Sequence, residues 1–162
     1  MRFVLSCVFI VTMLVAGCSK TTPEGATLIT VYKSPNCQCC SGWVKHLRQH
    51  GFAVRIKAER DLASIRAKLG VPEQLAACHT AVVDGYLIEG HVPASDIRRL
   101  ISERPKANGI AVPGMPIGSP GMEVGERHDP YEVLLFDTSG ETQAFTSHGN
   151  KLAVTTAESG AY

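Results

Sequence analysis

The chain has 162 residues, which suits one domain, and sets 16 basic residues against 15 acidic ones. The basic residues form no patch, so nucleic acid is excluded as a partner. There is no internal repeat and no low-complexity tract.

Met1-Arg2 is a short basic start, and Phe3 to Ala16 is apolar and uncharged. A run this short does not comfortably span a bilayer and reads as a signal-peptide core. Val15-Ala16-Gly17-Cys18 resembles the bacterial lipoprotein cleavage box, which implies cleavage before Cys18 and lipid on its sulfur. An ordinary secretory leader is the alternative. The non-acidic Ser19 then implies a periplasmic protein anchored to the outer membrane. The expected division is a signal peptide at 1–17, a polar tether at 18–26, a domain at 27–148 and a flexible tail at 149–162. Losing Arg2 leaves 15 basic residues against 15 acidic ones. Cys7 leaves with the leader, so the domain keeps four thiols: Cys37, Cys39, Cys40 and Cys78. Export places them in an oxidising compartment, where two structural disulfides are the plain reading. The spacing opposes it: three of the four lie within four residues, and adjacent cysteines rarely bridge without strain.

Ala26 to Tyr32 is rich in β-branched residues and reads as a strand. Ser34-Pro35-Asn36 is a turn. A helix is expected from the cysteines to His50, with Trp43, Val44 and Leu47 as its apolar stripe and Gly51 as its stop. Phe52 to Ala58 alternates as a second strand. Asp61 caps a helix through Lys68 that ends at Gly70 and Pro72. Asp84-Gly85 between two apolar runs marks a hairpin. Ser95 or Asp96 caps a helix through Glu103. Residues 105–122, rich in Pro and Gly, read as a long irregular loop. Tyr131 to Phe136 and Thr142 to Thr146 form a last hairpin. The order β-α-β-α-β-β-α, with a C-x-x-C opening the first helix, resembles the thioredoxin and glutaredoxin architecture. The expected fold is therefore α/β, thioredoxin-like, with a mixed central sheet and a long Pro/Gly/Met loop. That superfamily places a cis-proline before its third strand; here His79 stands at the matching position, after Cys78.

Cys37-Gln38-Cys39-Cys40 contains both a C-x-x-C and a C-x-C. A helix N-terminus favours negative charge, and thiolates there are ready nucleophiles or ready ligands. A dithiol oxidoreductase needs only Cys37 and Cys40. Cys39 is superfluous to that chemistry, and three close thiolates repel one another unless a cation sits among them. The third cysteine thus favours metal. Cys78-His79 lies on the loop that faces the C-x-x-C in this architecture. Alone, a buried cysteine is commonly inert and a lone histidine is commonly a satisfied core or surface residue. Met115 and Met122 sit in the Pro/Gly-rich loop, either as gap fillers or as thioether ligands. Thiolate with thioether is a soft set that selects Cu(I), whereas zinc needs only Cys and His. His46 and His50 share a helix face whose neighbours make it an ordinary solvated one. His91 follows a strand and ranks below the motif residues. His128 and His148 have no visible partner.

Cys-x-Cys-Cys, Gly-Val-Pro (70–72), Cys-His-Thr (78–80), Glu-Gly-His-Val-Pro (89–93) and Pro-Gly-Met-Pro-x-Gly-Ser-Pro-Gly-Met (113–122) together resemble the CopG-type family of bacterial copper-resistance proteins. The resemblance covers roughly residues 27–148. It implies a periplasmic thioredoxin-like domain with a multinuclear, cysteine-bridged copper site that protects cells from excess copper. It carries the metal-ligand role to Cys37, Cys39, Cys40, Cys78, His79, Met115 and Met122, and a redox role between Cu(I) and Cu(II) is inferred for the family. The expected partners are copper ions, the membrane through the lipid anchor, and other copper-resistance proteins. The rival readings are a thiol–disulfide oxidoreductase using Cys37 and Cys40, and a copper chaperone that delivers a single ion.

Overall fold

The computed structural model describes residues 25–149. The expected leader at 1–17, the expected lipidation site Cys18, most of the expected tether and nearly all of the expected tail lie outside the described residues. Seven strands among the described residues form one sheet in the order β2-β1-β3-β4-β5-β6-β7. These are β1 (Leu28–Lys33), β2 (Ala53–Ala58), β3 (His79–Val83), β4 (Tyr86–Glu89), β5 (Gly109–Ala111), β6 (Tyr131–Phe136) and β7 (Thr142–His148). β1 runs parallel to β2 and antiparallel to β3, and β3 and β4 form the hairpin around Asp84-Gly85. With helices α1 (Gln38–Gln49), α2 (Leu62–Leu69) and α3 (Ala94–Glu103), the first part of the chain has the thioredoxin-like order β-α-β-α-β-β-α. No helix of the described residues is long and apolar enough to cross a membrane.

The larger core lies between one face of the sheet and helices α1 and α3. Ile29 and Val31 of β1 meet Trp43, Val44 and Leu47 of α1 and Ile97 and Leu100 of α3, all buried. Their burial is the main drive for docking the helices, at roughly 1.5–3 kcal/mol per large apolar side chain. A smaller cluster on the opposite face joins Val71, Leu75, Leu87, Ala111 and Phe136. Trp43 is fully buried and its indole N–H donates to the Val92 carbonyl at 2.7 Å, so the largest core residue ties α1 to the segment leading into α3.

Three local outcomes differ from the sequence reading. The loop at 105–122 contains β5, which pairs parallel with β4 and antiparallel with β6 and so joins the final hairpin to the sheet. Gly-Ile-Ala is too short to display an alternating pattern. Its glycine is required because a Cβ on Gly109 would strike the Leu87 backbone. Helix α3 begins at Ala94 after Pro93, not at Ser95 or Asp96. Its first N–H donates to Nε2 of His46 on α1 at 3.1 Å, a cap supplied by a distant residue. Asp96, freed from capping, is bonded by His148 Nε2 at 2.7 Å, and His148 stacks on Tyr131. Both His46 and His148 therefore have structural work in the fold.

Candidate metal centre

The turn at Ser34-Pro35-Asn36 closes with the Cys37 amide donating to the Ser34 carbonyl at 3.2 Å, which points the chain into α1. Cys37 is the N-cap of α1, and its sulfur accepts the Cys40 amide at 3.3 Å. A short polar side chain usually fills that place; here sulfur does, at the positive end of the helix. Cys37 and Cys40 are joined as a disulfide, while Cys39 and Cys78 are free thiols. Cys39 Sγ lies 3.4 Å from Cys37 Sγ, and Cys40 Sγ lies 3.6 Å from the Cys78 carbonyl oxygen.

Cys78 enters from the start of the β3–β4 hairpin. The segment 77–80 is fixed from behind by Glu89, a fully buried carboxylate that accepts the Ala77 amide at 2.7 Å and the Thr80 hydroxyl at 2.6 Å. Arg66 of α2 donates to the Ala77 carbonyl at 3.0 Å and approaches Glu89 at 3.8 Å. Burial pushes the Glu89 carboxyl up to about 7 despite these bonds. The carboxylate is thus a positioning group for the Cys78-His79 turn.

Two donor groups result. The sulfurs of Cys37, Cys39, Cys40 and Cys78 lie within 4.8 Å of one another, and so do the donor atoms of Cys78, His79 and His91. Cys78 belongs to both, with its Sγ 3.3 Å from His79 Nδ1 and 3.1 Å from His91 Nε2. His79 and His91 are fully buried, their rings in edge contact at 4.9 Å, and His79 also packs on Trp43 at 4.3 Å. Burial, with the neighbouring His91, drives the His79 imidazole down to about 3, and burial also lowers His91, so both rings are neutral and able to ligate. Burial first, and then the nearby Cys39, raise the Cys78 thiol to about 12. A cation bound by the sulfur would offset that penalty and favour the thiolate.

The residues fit a soft metal ion. His79 Nε2 is, among the described residues, the buried side-chain nitrogen without a hydrogen-bond partner. An orphan of this kind costs about 1–3 kcal/mol; the nitrogen that faces the cluster is Nδ1, 3.3 Å from Cys78 Sγ. Four sulfurs and two neutral imidazoles form a soft-to-borderline donor set. Lys33 at the end of β1 is also buried, pairs with His79 across the ladder, and donates to the Ser34 carbonyl at 2.9 Å. It places a positive charge beside a cluster that turns anionic when its thiols ionise.

The loop that carries the methionines divides. Gly121 sits directly on the start of α1: a Cβ there would lie 2.6 Å from the Trp43 amide nitrogen and 2.7 Å from the Cys39 carbonyl oxygen. That contact brings the half-buried Met122 to the helix end that bears the cysteines. Met115 lies elsewhere, 54% exposed, in a shallow depression with Pro113, Pro116 and Pro130. The structure therefore gathers Cys37, Cys39, Cys40, Cys78 and His79, brings Met122 to their side, leaves Met115 at the surface, and adds His91.

Two solved structures named copper resistance protein CopG, form 1 and form 2, match at 45% identity and a TM-score of 0.73. The match covers 77% and 76% of this chain and 99% of each of theirs. The chain belongs to the CopG family of copper-resistance proteins. A family profile described as "Protein of unknown function, DUF411" matches residues 75–122, the stretch that holds Cys78, His79, His91, Met115 and Met122. No curated protein matches the chain. CopG kinship and a cysteine cluster able to hold metal together support a copper-related role.

Proposed function

We propose that this protein holds more than one Cu(I) ion in a cysteine-bridged cluster and protects the cell envelope from excess copper. The observation that carries this reading is the convergence of four sulfurs within 4.8 Å, one more thiol pair than a dithiol redox centre uses. Thiolate sulfur keeps spare lone pairs, so one cysteine can join two ions. Cys37, Cys39, Cys40 and Cys78 supply the bridging set, with His79 and Met122 at its margin. Met115, being exposed, serves best as a thioether on the approach to the cluster.

A second reading is favoured by the Cys37–Cys40 disulfide. Conversion of that dithiol to the disulfide releases two electrons and two protons, enough to reduce two Cu(II) ions to Cu(I). Redox work of this kind is compatible with copper holding, since the bonded pair gives up its thiolates and the reduced pair regains them. A plain thiol–disulfide oxidoreductase acting on proteins would need neither Cys39 nor the buried imidazoles.

The leader supports a periplasmic site of action, with lipid on Cys18 holding the chain to the outer membrane. Native mass spectrometry of reduced protein extracted anaerobically from membranes reads both proposals at once. The expected spectrum shows a chain that begins at acylated Cys18 and carries several copper increments. An unmodified Cys18 would remove the anchor and leave the copper reading intact. A single tightly held zinc that copper does not displace would overturn the copper reading.

A further inference from the structure

Resting on the copper reading above, we infer that Cys78, His79 and His91 form a separate nitrogen–sulfur copper subsite that remains available while Cys37 and Cys40 are disulfide-bonded. Their donor atoms lie within 4.8 Å of one another, and neither Cys37 nor Cys40 belongs to the group. Formation of the disulfide withdraws two of the four sulfurs from the all-sulfur group and none from this one.

His91 is oriented for ligation by its own second nitrogen. Nδ1 lies 2.8 Å from the Pro120 carbonyl oxygen, which can only accept, so the ring proton resides on Nδ1. Nε2 is then a bare lone pair, 3.1 Å from Cys78 Sγ. Metal-binding histidines commonly donate their other ring N–H to a carboxylate or carbonyl in this way, which fixes tautomer and ring angle together. His79 contributes Nδ1, which lies 3.3 Å from the same Cys78 sulfur. Both imidazoles are set on rigid backbone: His79 opens β3, its carbonyl accepts the Gly90 amide at 3.1 Å, and His91 follows directly. Two imidazoles and one thiolate form a donor set that accommodates copper in both oxidation states, unlike an all-thiolate set, which favours Cu(I).

Copper in this chain is therefore held in two classes. The all-sulfur class exists when the C-x-x-C is reduced, and the nitrogen–sulfur class exists in either state, with Cys78 as the sulfur common to both. Oxidation of the pair lowers capacity without emptying the protein.

The test uses the Cys37→Ser/Cys40→Ser double variant of the full chain, loaded with Cu(I) anaerobically and examined by metal analysis and X-ray absorption. The expected result is about one copper per chain with about two imidazole nitrogens and one sulfur as neighbours. Adding His91→Gln, whose amide can still donate to the Pro120 carbonyl, is expected to weaken that copper by roughly a hundred-fold or more, as loss of a ligand does. Circular dichroism checks folding; should His91→Gln misfold, the nitrogen scattering of the double variant decides alone. Copper with sulfur neighbours only, an unchanged load on adding His91→Gln, or no copper in the double variant beside several in the unsubstituted chain each overturns the subsite. Those three results leave the copper reading standing. Absence of copper from the unsubstituted reduced chain overturns both.

Discussion

Cys78→Ser is expected to remove most of the bound copper while leaving a folded protein. Cys78 is the one side chain that belongs to both donor groups, so its loss opens the all-sulfur cluster and the imidazole pair together. Structural metal binding is worth roughly 10–16 kcal/mol in small sites, and loss of one good ligand removes several kcal/mol of it. The fold has little reason to fail. Cys78 is half-buried, outside the main apolar cluster, and its segment is held by the Glu89, Thr80 and Arg66 bonds and not by its sulfur. Copper per chain and the thermal midpoint of the apo form are the measurements. An unchanged copper load in Cys78→Ser contradicts a shared ligand at this position.

The second large effect belongs to a residue with no chemistry of its own. Gly121 has φ +86°, and a Cβ on it would press against the backbone of α1 at Trp43 and Cys39. Gly121→Ala adds backbone strain of about 1–3 kcal/mol. Crowding against atoms that cannot turn aside adds about 1–3 kcal/mol more. The loop relieves this only by lifting from α1, which carries the Pro120 carbonyl away from His91 and Met122 away from the cysteines. Both the apo melting temperature and copper affinity are therefore expected to fall. Gly114→Ala is the matched control. It also has positive φ, at +72°, but a Cβ there meets nothing within 4 Å, so its cost is expected to stay near 1 kcal/mol with copper binding intact. Equal losses in the two variants would contradict the packing argument.

The parts of the fold that local chemistry dictates were readable. A β-branched run gave β1, an apolar stripe with a glycine stop gave α1, and Asp61 with Gly70 bounded α2. The Asp84-Gly85 pair gave the hairpin, and both residues have positive φ, as a tight two-residue turn requires. What was lost depended on distant partners. The cap on α3 comes from His46, a helix and three strands away in sequence, and β5 is a strand only because β4 and β6 flank it. The burial of Lys33 follows from the register of β1 with β3, which no pattern in β1 reveals.

His91 is the instructive case, because its signal was present. The hairpin pairs Val83 with Tyr86, Val82 with Leu87, Ala81 with Ile88 and Thr80 with Glu89. Continued two steps outward, the same register sets Cys78 opposite His91. A two-residue turn read from sequence fixes that register, so extending it identifies the second imidazole without a structure. Met115 and Met122 were paired because both lie in the Pro/Gly-rich loop; Met115 is 54% exposed, while Gly121 seats the chain beside Met122 on α1.

On the proposed reading, the third cysteine of Cys-x-Cys-Cys separates a copper-holding cluster from a dithiol oxidoreductase. Cys39→Ser isolates its contribution, because the substitution leaves Cys37 and Cys40 in place. The variant is expected to bind markedly less Cu(I) per chain than the parent, with whatever disulfide reductase activity the parent has toward insulin unchanged. An unaltered copper load in Cys39→Ser, together with strong insulin reduction, would contradict it.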